Sequence, residues 1–231
     1  RINNVGKIEV VNKNSAGIFA KNESGTVANL VIDNTIKNAA GEVTKKGTIN
    51  VNKENSVGIY AHKATVSAVG KITLGRDANE SIGVYAAAGS AITTTTAEID
   101  LGKGTDQNRV AYYVKNGNTA LTGDDIGKIS GYGVGVYLEG TSIPTSDIAE
   151  LNGSSTPLNY KTTTSSGDGI IGLYLSGNTK ISDYTGPITV GNTVGDRGTK
   201  YAIGIYAEGQ GTTANKYEIK APITTLSLIH I

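Results

Sequence analysis

The candidate carboxylates of this chain are two close pairs, Asp124-Asp125 and Asp147 with Glu150, and the single Asp168. Carboxylates clustered on one outer face, with Arg, Lys or bound Ca²⁺ beside them, are what glycan cleavage requires. The local sequence argues against that use. Neighbouring residues on a strand point to opposite faces, and "TGDD" at 122–125 reads as a solvated turn. His62 is the one His before residue 230 and follows an apolar hexamer, where it reads as a turn cap. One His without any Cys makes neither a four-ligand zinc site nor a Ser–His–Asp set. "SGDG" at 166–169 lacks the nine-residue Gly-Asp repeat of a Ca²⁺-binding solenoid. "GYGVG" at 131–135 opens no helix and so is no phosphate loop. The Thr runs at 93–96 and 162–164 do not recur at a fixed place, as a flat ice-binding face would demand. The expectation is no catalysis, no metal and no cofactor.

Composition narrows the classes further. The 231 residues carry 21 Lys+Arg against 20 Asp+Glu. Near-zero net charge offers no basic face for nucleic acid and no attraction to an anionic membrane. No apolar run approaches the ~20 residues of a membrane-spanning helix, and no secretory signal is present. Without Cys, disulfides and thiol chemistry are excluded, although the compartment is not fixed. The chain begins with Arg1, so a preceding segment is expected. The closing "LSLIHI" (226–231) resembles the translation of a transposon end used to prepare sequencing libraries, and is set apart from residues 1–225. Its other reading is a genuine strand.

What organises the chain is a hexamer that recurs seven times: "SAGIFA", "SVGIYA", "SIGVYA", "RVAYYV", "GVGVYL", "IIGLYL" and "AIGIYA", starting at residues 15, 56, 81, 109, 133, 170 and 202. Positions two, four and six are uncharged throughout, as in Val57, Ile59 and Ala61. This two-residue period with β-branched side chains predicts a strand with one buried face. Position three is Gly six times and Ala111 once. Position five is Phe19, Tyr60, Tyr85, Tyr113, Tyr137, Tyr174 and Tyr206. The expectation is an aliphatic face inside and a Gly-plus-aromatic face outside.

A second strand precedes the hexamer: "GKIEV" at 6–10, "GTINV" at 47–51, "GKITL" at 70–74, "AEIDL" at 97–101, "GKISG" at 127–131 and "GPITV" at 186–190. A third follows: "TVANL" from Thr26, "ATVSA" from Ala64, "SAITT" from Ser90, "TALTG" from Thr119 and "TKISD" from Thr179. Gly, Asn, Asp and Lys separate the three, as turns require. The shortest spacings between third positions are 25, 28 and 24 residues; insertions lengthen others to 41, 37 and 32. A period in this range signals a solenoid. Three strands per unit predicts an all-β, right-handed parallel β-helix of about seven coils, with like residues stacked at ~4.8 Å. "APITT" at 221–225 reads as the first strand of an eighth coil, so a longer solenoid is expected. The aromatic column reads either as a stabilising ladder or as a sugar-stacking strip. The insertions at roughly 28–46, 144–168 and 192–200 are further candidates for recognition.

The repeated "GxIxV…SxGIYA" with variable spacers resembles the passenger region of large fusobacterial-type autotransporter adhesins of the type V secretion system. The resemblance covers residues 1–225 and is weakest at Ala111 and Leu175. It implies display at the cell surface from the outer membrane by a C-terminal barrel, with adhesion to host cells, other bacteria or matrix. The partner would be a surface protein or glycan, not nucleic acid. This fragment would not insert into a membrane and would be a monomeric segment of a longer chain. Two alternatives stay open: a glycan-cleaving β-helix enzyme, and a purely structural stalk or surface-layer segment.

Overall fold

Alternation of apolar and polar residues in short runs commits the chain to strands, and the order of those strands is regular. The computed structural model describes residues 1–23, 30–93, 97–102, 108–119, 128–140, 149–152, 158–162, 169–192, 202–208, 217–219 and 222–226. Among them there is no helix. The first repeat comprises β1 (Lys7–Val10), β2 (Ala16–Lys21) and β3 (Val31–Asp33), followed by an antiparallel hairpin, β4 (Thr35–Lys37) and β5 (Val43–Lys46). The second and third are β6 (Thr48–Val51), β7 (Val57–His62) and β8 (Thr65–Ala68), then β9 (Gly70–Leu74), β10 (Ile82–Ala87) and β11 (Ala91–Ile92). The fourth and fifth are β12 (Ala97–Asp100), β13 (Val110–Lys115) and β14 (Asn118–Thr119), then β15 (Ile129–Ser130), β16 (Gly133–Gly140) and β17 (Ala149–Asn152). The sixth and seventh are β18 (Leu158–Thr162), β19 (Ile170–Gly177) and β20 (Thr179–Tyr184), then β21 (Ile188–Asn192), β22 (Ala202–Ala207) and β23 (Tyr217–Ile219). Finally β24 (Ile223–Leu226) pairs with β21.

Apart from the hairpin, every strand lies in one of three parallel sheets, and the chain visits them in strict rotation. The first sheet runs β1-β6-β9-β12-β15-β18-β21-β24. The second, built of the hexamers, runs β2-β7-β10-β13-β16-β19-β22. The third runs from β3 through β8, β11, β14, β17 and β20 to β23. Each strand therefore pairs with its counterpart one repeat away, and backbone hydrogen bonds run from repeat to repeat. Side chains from all three sheets meet in one apolar cluster, including Ile49 and Ile72 of the first, Ile59 and Val84 of the second, and Val66 and Ile92 of the third. All six are fully buried.

Three readings of the sequence need correction. In the first repeat the third strand is Val31–Asp33, downstream of the "TVANL" expected to form it, of which residues 26–29 lie outside the described residues. The stretch 144–168 is not simply an insertion, because Ala149–Asn152 and Leu158–Thr162 supply regular strands of the third and first sheets. Tyr160 there takes the place of the isoleucines in the column Ile49, Ile72, Ile99 and Ile129, so no "GxIx" signature marks that strand. By similarity to "GTINV", "GPITV" would put Ile188 in this column, but Val190 occupies it, next to Tyr160. The expected insertion at 28–46 is in part the β4–β5 hairpin. Of the final segment, Leu226 ends β24, and residues 227–231 lie outside the described residues.

Candidate functional site

The hexamer sheet is the most regular surface of the protein, and its corners explain why. Asn14, Asn55 and Glu80 precede the first three hexamers with φ of 55°, 54° and 52°. Lys63, Ala88 and Asn116 follow the second to fourth with φ of 51°, 55° and 50°. In the second and third hexamers a left-handed residue at each end turns the chain sharply out of the sheet, and Asn tolerates that conformation best among non-glycines. The first four hexamer strands are each six residues long, and like positions stack.

Within the strand the simple alternation fails at one point. Neighbouring strands pair at position two, then at positions four, five and six, and skip position three. Positions three and four are both buried in the second hexamer, as Gly58 and Ile59, and in the third, as Gly83 and Val84. The expectation that position three faces outward with the rings is therefore wrong, and so is the expectation that position two faces inward. A Cβ built on Gly58 would stand 2.6 Å from the Gly83 carbonyl oxygen and 3.0 Å from Ile72 Cδ1. On Gly83 it would stand 2.7 Å from the Ala111 oxygen and 3.1 Å from Ile99 Cγ2. Glycine is used because the carbonyl of the next strand in the same sheet and, beneath it, an isoleucine of the first sheet already fill that space. Position two is displaced to the outside, where Val57, Ile82, Val110, Val134 and Ile171 are half-buried and Ala16 and Ile203 exposed.

Position five behaves as expected. Phe19, Tyr60, Tyr85, Tyr113, Tyr137, Tyr174 and Tyr206 form one outward file in matched register. Ring centroids lie 4.8 Å apart for Phe19–Tyr60 at 6° and 5.2 Å for Tyr60–Tyr85 at 20°. The Tyr85–Tyr113 contact is edge-on at 85°, and Tyr113–Tyr137 returns to 7° at 4.5 Å. The remaining pairs are tilted, at 4.4 and 4.8 Å. Most ring faces are thus taken by other rings, and what the column shows to solvent is largely edges. Such contacts add roughly 0.5–1.5 kcal/mol per pair beyond burial. A sugar needs an open ring face, so this geometry favours the ladder over the sugar-stacking strip. The open faces are at the ends, where Phe19 is 61% and Tyr206 41% exposed.

The residue after each hexamer gives a third column: Lys21, His62, Ala87, Lys115, Glu139, Ser176 and Glu208, of which Ala87 and Ser176 are buried. His62 ends β7, and its carbonyl accepts from the Asn22 N–H. Glu139 accepts from the Tyr113 hydroxyl and stands 2.7 Å from Lys115 Nζ. Burial nevertheless pushes the Glu139 carboxyl above its ordinary value. Ser176 Oγ donates to Tyr137 Oη at 3.1 Å. Burial, and then a hydrogen bond to Glu208, raise the Tyr174 hydroxyl. The outward surface is therefore an aliphatic column, an aromatic column and a polar rim side by side. Towards the C-terminal half it hollows into an open groove of about 460 Å³ lined by Val110, Val134, Tyr137, Ile171, Tyr174 and Ile203.

Position one carries a buried polar line that composition alone does not reveal. Ser56 Oγ accepts from the Ser15 N–H at 3.2 Å and donates to carbonyls of the adjoining turns, Asn12 and Glu54. Ser81 Oγ does the same for Ser56 N–H, with Lys53 and Asn79 as acceptors. In the fourth hexamer Arg109 stands in this line, fully buried. Its guanidinium donates to the carbonyls of Leu74, Leu101, Gly75 and Arg76, the last two at 2.8 and 2.9 Å. Burial pulls its pKa down, while Asp100 and Asp77 oppose that shift. The repeated Ser at the head of the first three hexamers was a legible signal for this line, but nothing in the sequence marked Arg109 as buried.

Asp124, Asp125, Asp147 and Asp168 lie outside the described residues, as does the side chain of Glu150. Among the described residues no group of three His, Cys, Asp or Glu is placed to hold a metal ion. Compared with protein-family models, with curated proteins and with solved structures, the chain matches none.

Proposed function

We propose that the chain is a right-handed parallel β-helix forming a segment of a surface-displayed autotransporter passenger of the fusobacterial type, acting in adhesion rather than catalysis. The observation that carries this reading is the in-register seven-strand hexamer sheet, whose outer surface keeps an apolar strip in contact with water. Strands that visit three parallel sheets in rotation are what a three-sided helix of strands requires, and parallel crossovers are right-handed in nearly all cases. Contiguous exposed apolar surface on a soluble chain marks interaction sites. Repeat-to-repeat hydrogen bonding makes a stiff rod, suited to holding loops away from a cell.

A direct binding experiment tests it. Chain 1–231 is applied to panels of host cells, bacteria and immobilised glycans. Variants exchange 163–168 or 193–200 for Gly-Ser linkers, which spares Ala149–Asn152 and Leu158–Thr162. Adhesion predicts binding that drops in one exchange or on Val134→Lys. Failure to bind any surface would leave the stalk reading, which the self-stacked rings favour.

A further inference from the structure

The outward strip has a symmetry of charge that points to its own occupant. Along the rim the groups run Lys21, His62, Ala87, Lys115, Glu139, Ser176, Glu208, with the two lysines on the first and fourth strands and the two glutamates on the fifth and seventh. Seven strands place the fourth, Val110–Lys115, at the centre. Two copies can face each other across this sheet about a two-fold axis in the plane of contact. An axis along the stack direction would lay the aliphatic column over the charged rim. An axis along the strands, through Val110–Lys115, instead lays each column over its own kind and reverses the strand order. Lys21 of one copy then meets Glu208 of the other, and His62 meets Ser176. Glu139 faces Ala87, one strand from the two central lysines, which it helps to neutralise. Phe19, the most exposed large apolar residue described, comes over the Ile203–Tyr206 end of the groove.

We infer that the hexamer sheet pairs with the same sheet of a second copy of this chain, antiparallel along the stack, through its aliphatic and aromatic columns. Seven strands at ~4.8 Å and a width of about five residues give a strip of roughly 29 by 16 Å. That is about 900 Å² counting both copies, at the low end of specific interfaces. The dimer is therefore weak and exchanging. Lys21 also sits 2.8 Å from Glu23 of its own chain, but that pair is exposed and its ions are free to re-partner. This inference does not depend on the adhesin reading, and it replaces the expectation of a monomeric segment.

Sedimentation equilibrium of chain 1–231 over a wide concentration range tests it. The expected result is a monomer–dimer equilibrium. Lys21→Glu and Glu208→Lys each weaken it several-fold, because each variant sets like charges opposite one another at both ends. An equimolar mixture of the two restores association as a heterodimer, since both ends become opposite-charge pairs. Val134→Lys abolishes the dimer while circular dichroism stays that of the parent. Monomer at every concentration would overturn the inference, as would open-ended growth from end-to-end stacking. So would a mixture no more associated than its single variants.

Discussion

Positions three and five of the hexamer lie two residues apart on one strand, and they carry the smallest and the largest side chains of the motif. An ideal strand would put them on the same face. In this protein Gly83 points into the core against Ile99, and Tyr85 points out against Tyr60 and Tyr113. The glycine column exists because there is no room; the aromatic column exists because each ring has a neighbour. One is a limit set by the next strand's carbonyl together with another sheet's side chains, the other a gain from neighbouring rings. The pleat breaks between them, and that break moves Val57, Ile82 and their equivalents to the outside to make the apolar strip.

The contrast can be broken most forcefully from inside. Ile59→Asp places an unpaired carboxylate at a fully buried site; the expected loss is about 3–5 kcal/mol in urea unfolding. Gly83→Val forces a branched side chain where even a Cβ stands 2.7 Å from the Ala111 oxygen. Overpacking of this kind costs about 1–3 kcal/mol. That Ala111 occupies position three in the next strand predicts a milder loss for Gly83→Ala. Tyr60→Ser removes two stacked contacts, and the loss should be about 1–3 kcal/mol. Equal losses for Ile59→Asp and Tyr60→Ser would contradict the inside and outside assignment. The smallest effect belongs to Glu139, whose folded pKa lies above the ordinary value of 4.5. The folded state holds this proton more tightly than the unfolded chain, so its contribution is full below 4.5 and lost as pH rises through the folded pKa. Glu139→Gln should flatten the pH dependence of stability in that window, and an unchanged slope would dismiss the effect.

Strands at the hexamers, at "GTINV" and "GKITL", and at "TKISD" were legible because period-two apolarity is a local property. Their stacking was legible because seven similar hexamers can satisfy one another only in register. Leu158–Thr162 was not, because Tyr160 substitutes for Ile at a core position where only volume matters once the neighbours are known. Arg109 was not, because its burial depends on four carbonyls contributed by residues eight to thirty-five positions earlier in the chain. Of the outward strip, the aromatic file was foreseen and the aliphatic column beside it was placed on the wrong face.

By itself, the order of residues settled that the chain makes short strands and that like strands lie side by side, since both follow from local alternation and repetition. Only the tertiary structure decided which side chains of a hexamer face the core. That choice turns on how closely the hexamer glycines approach the next strand's carbonyls and the side chains of the first sheet, distances that no strand contains within itself.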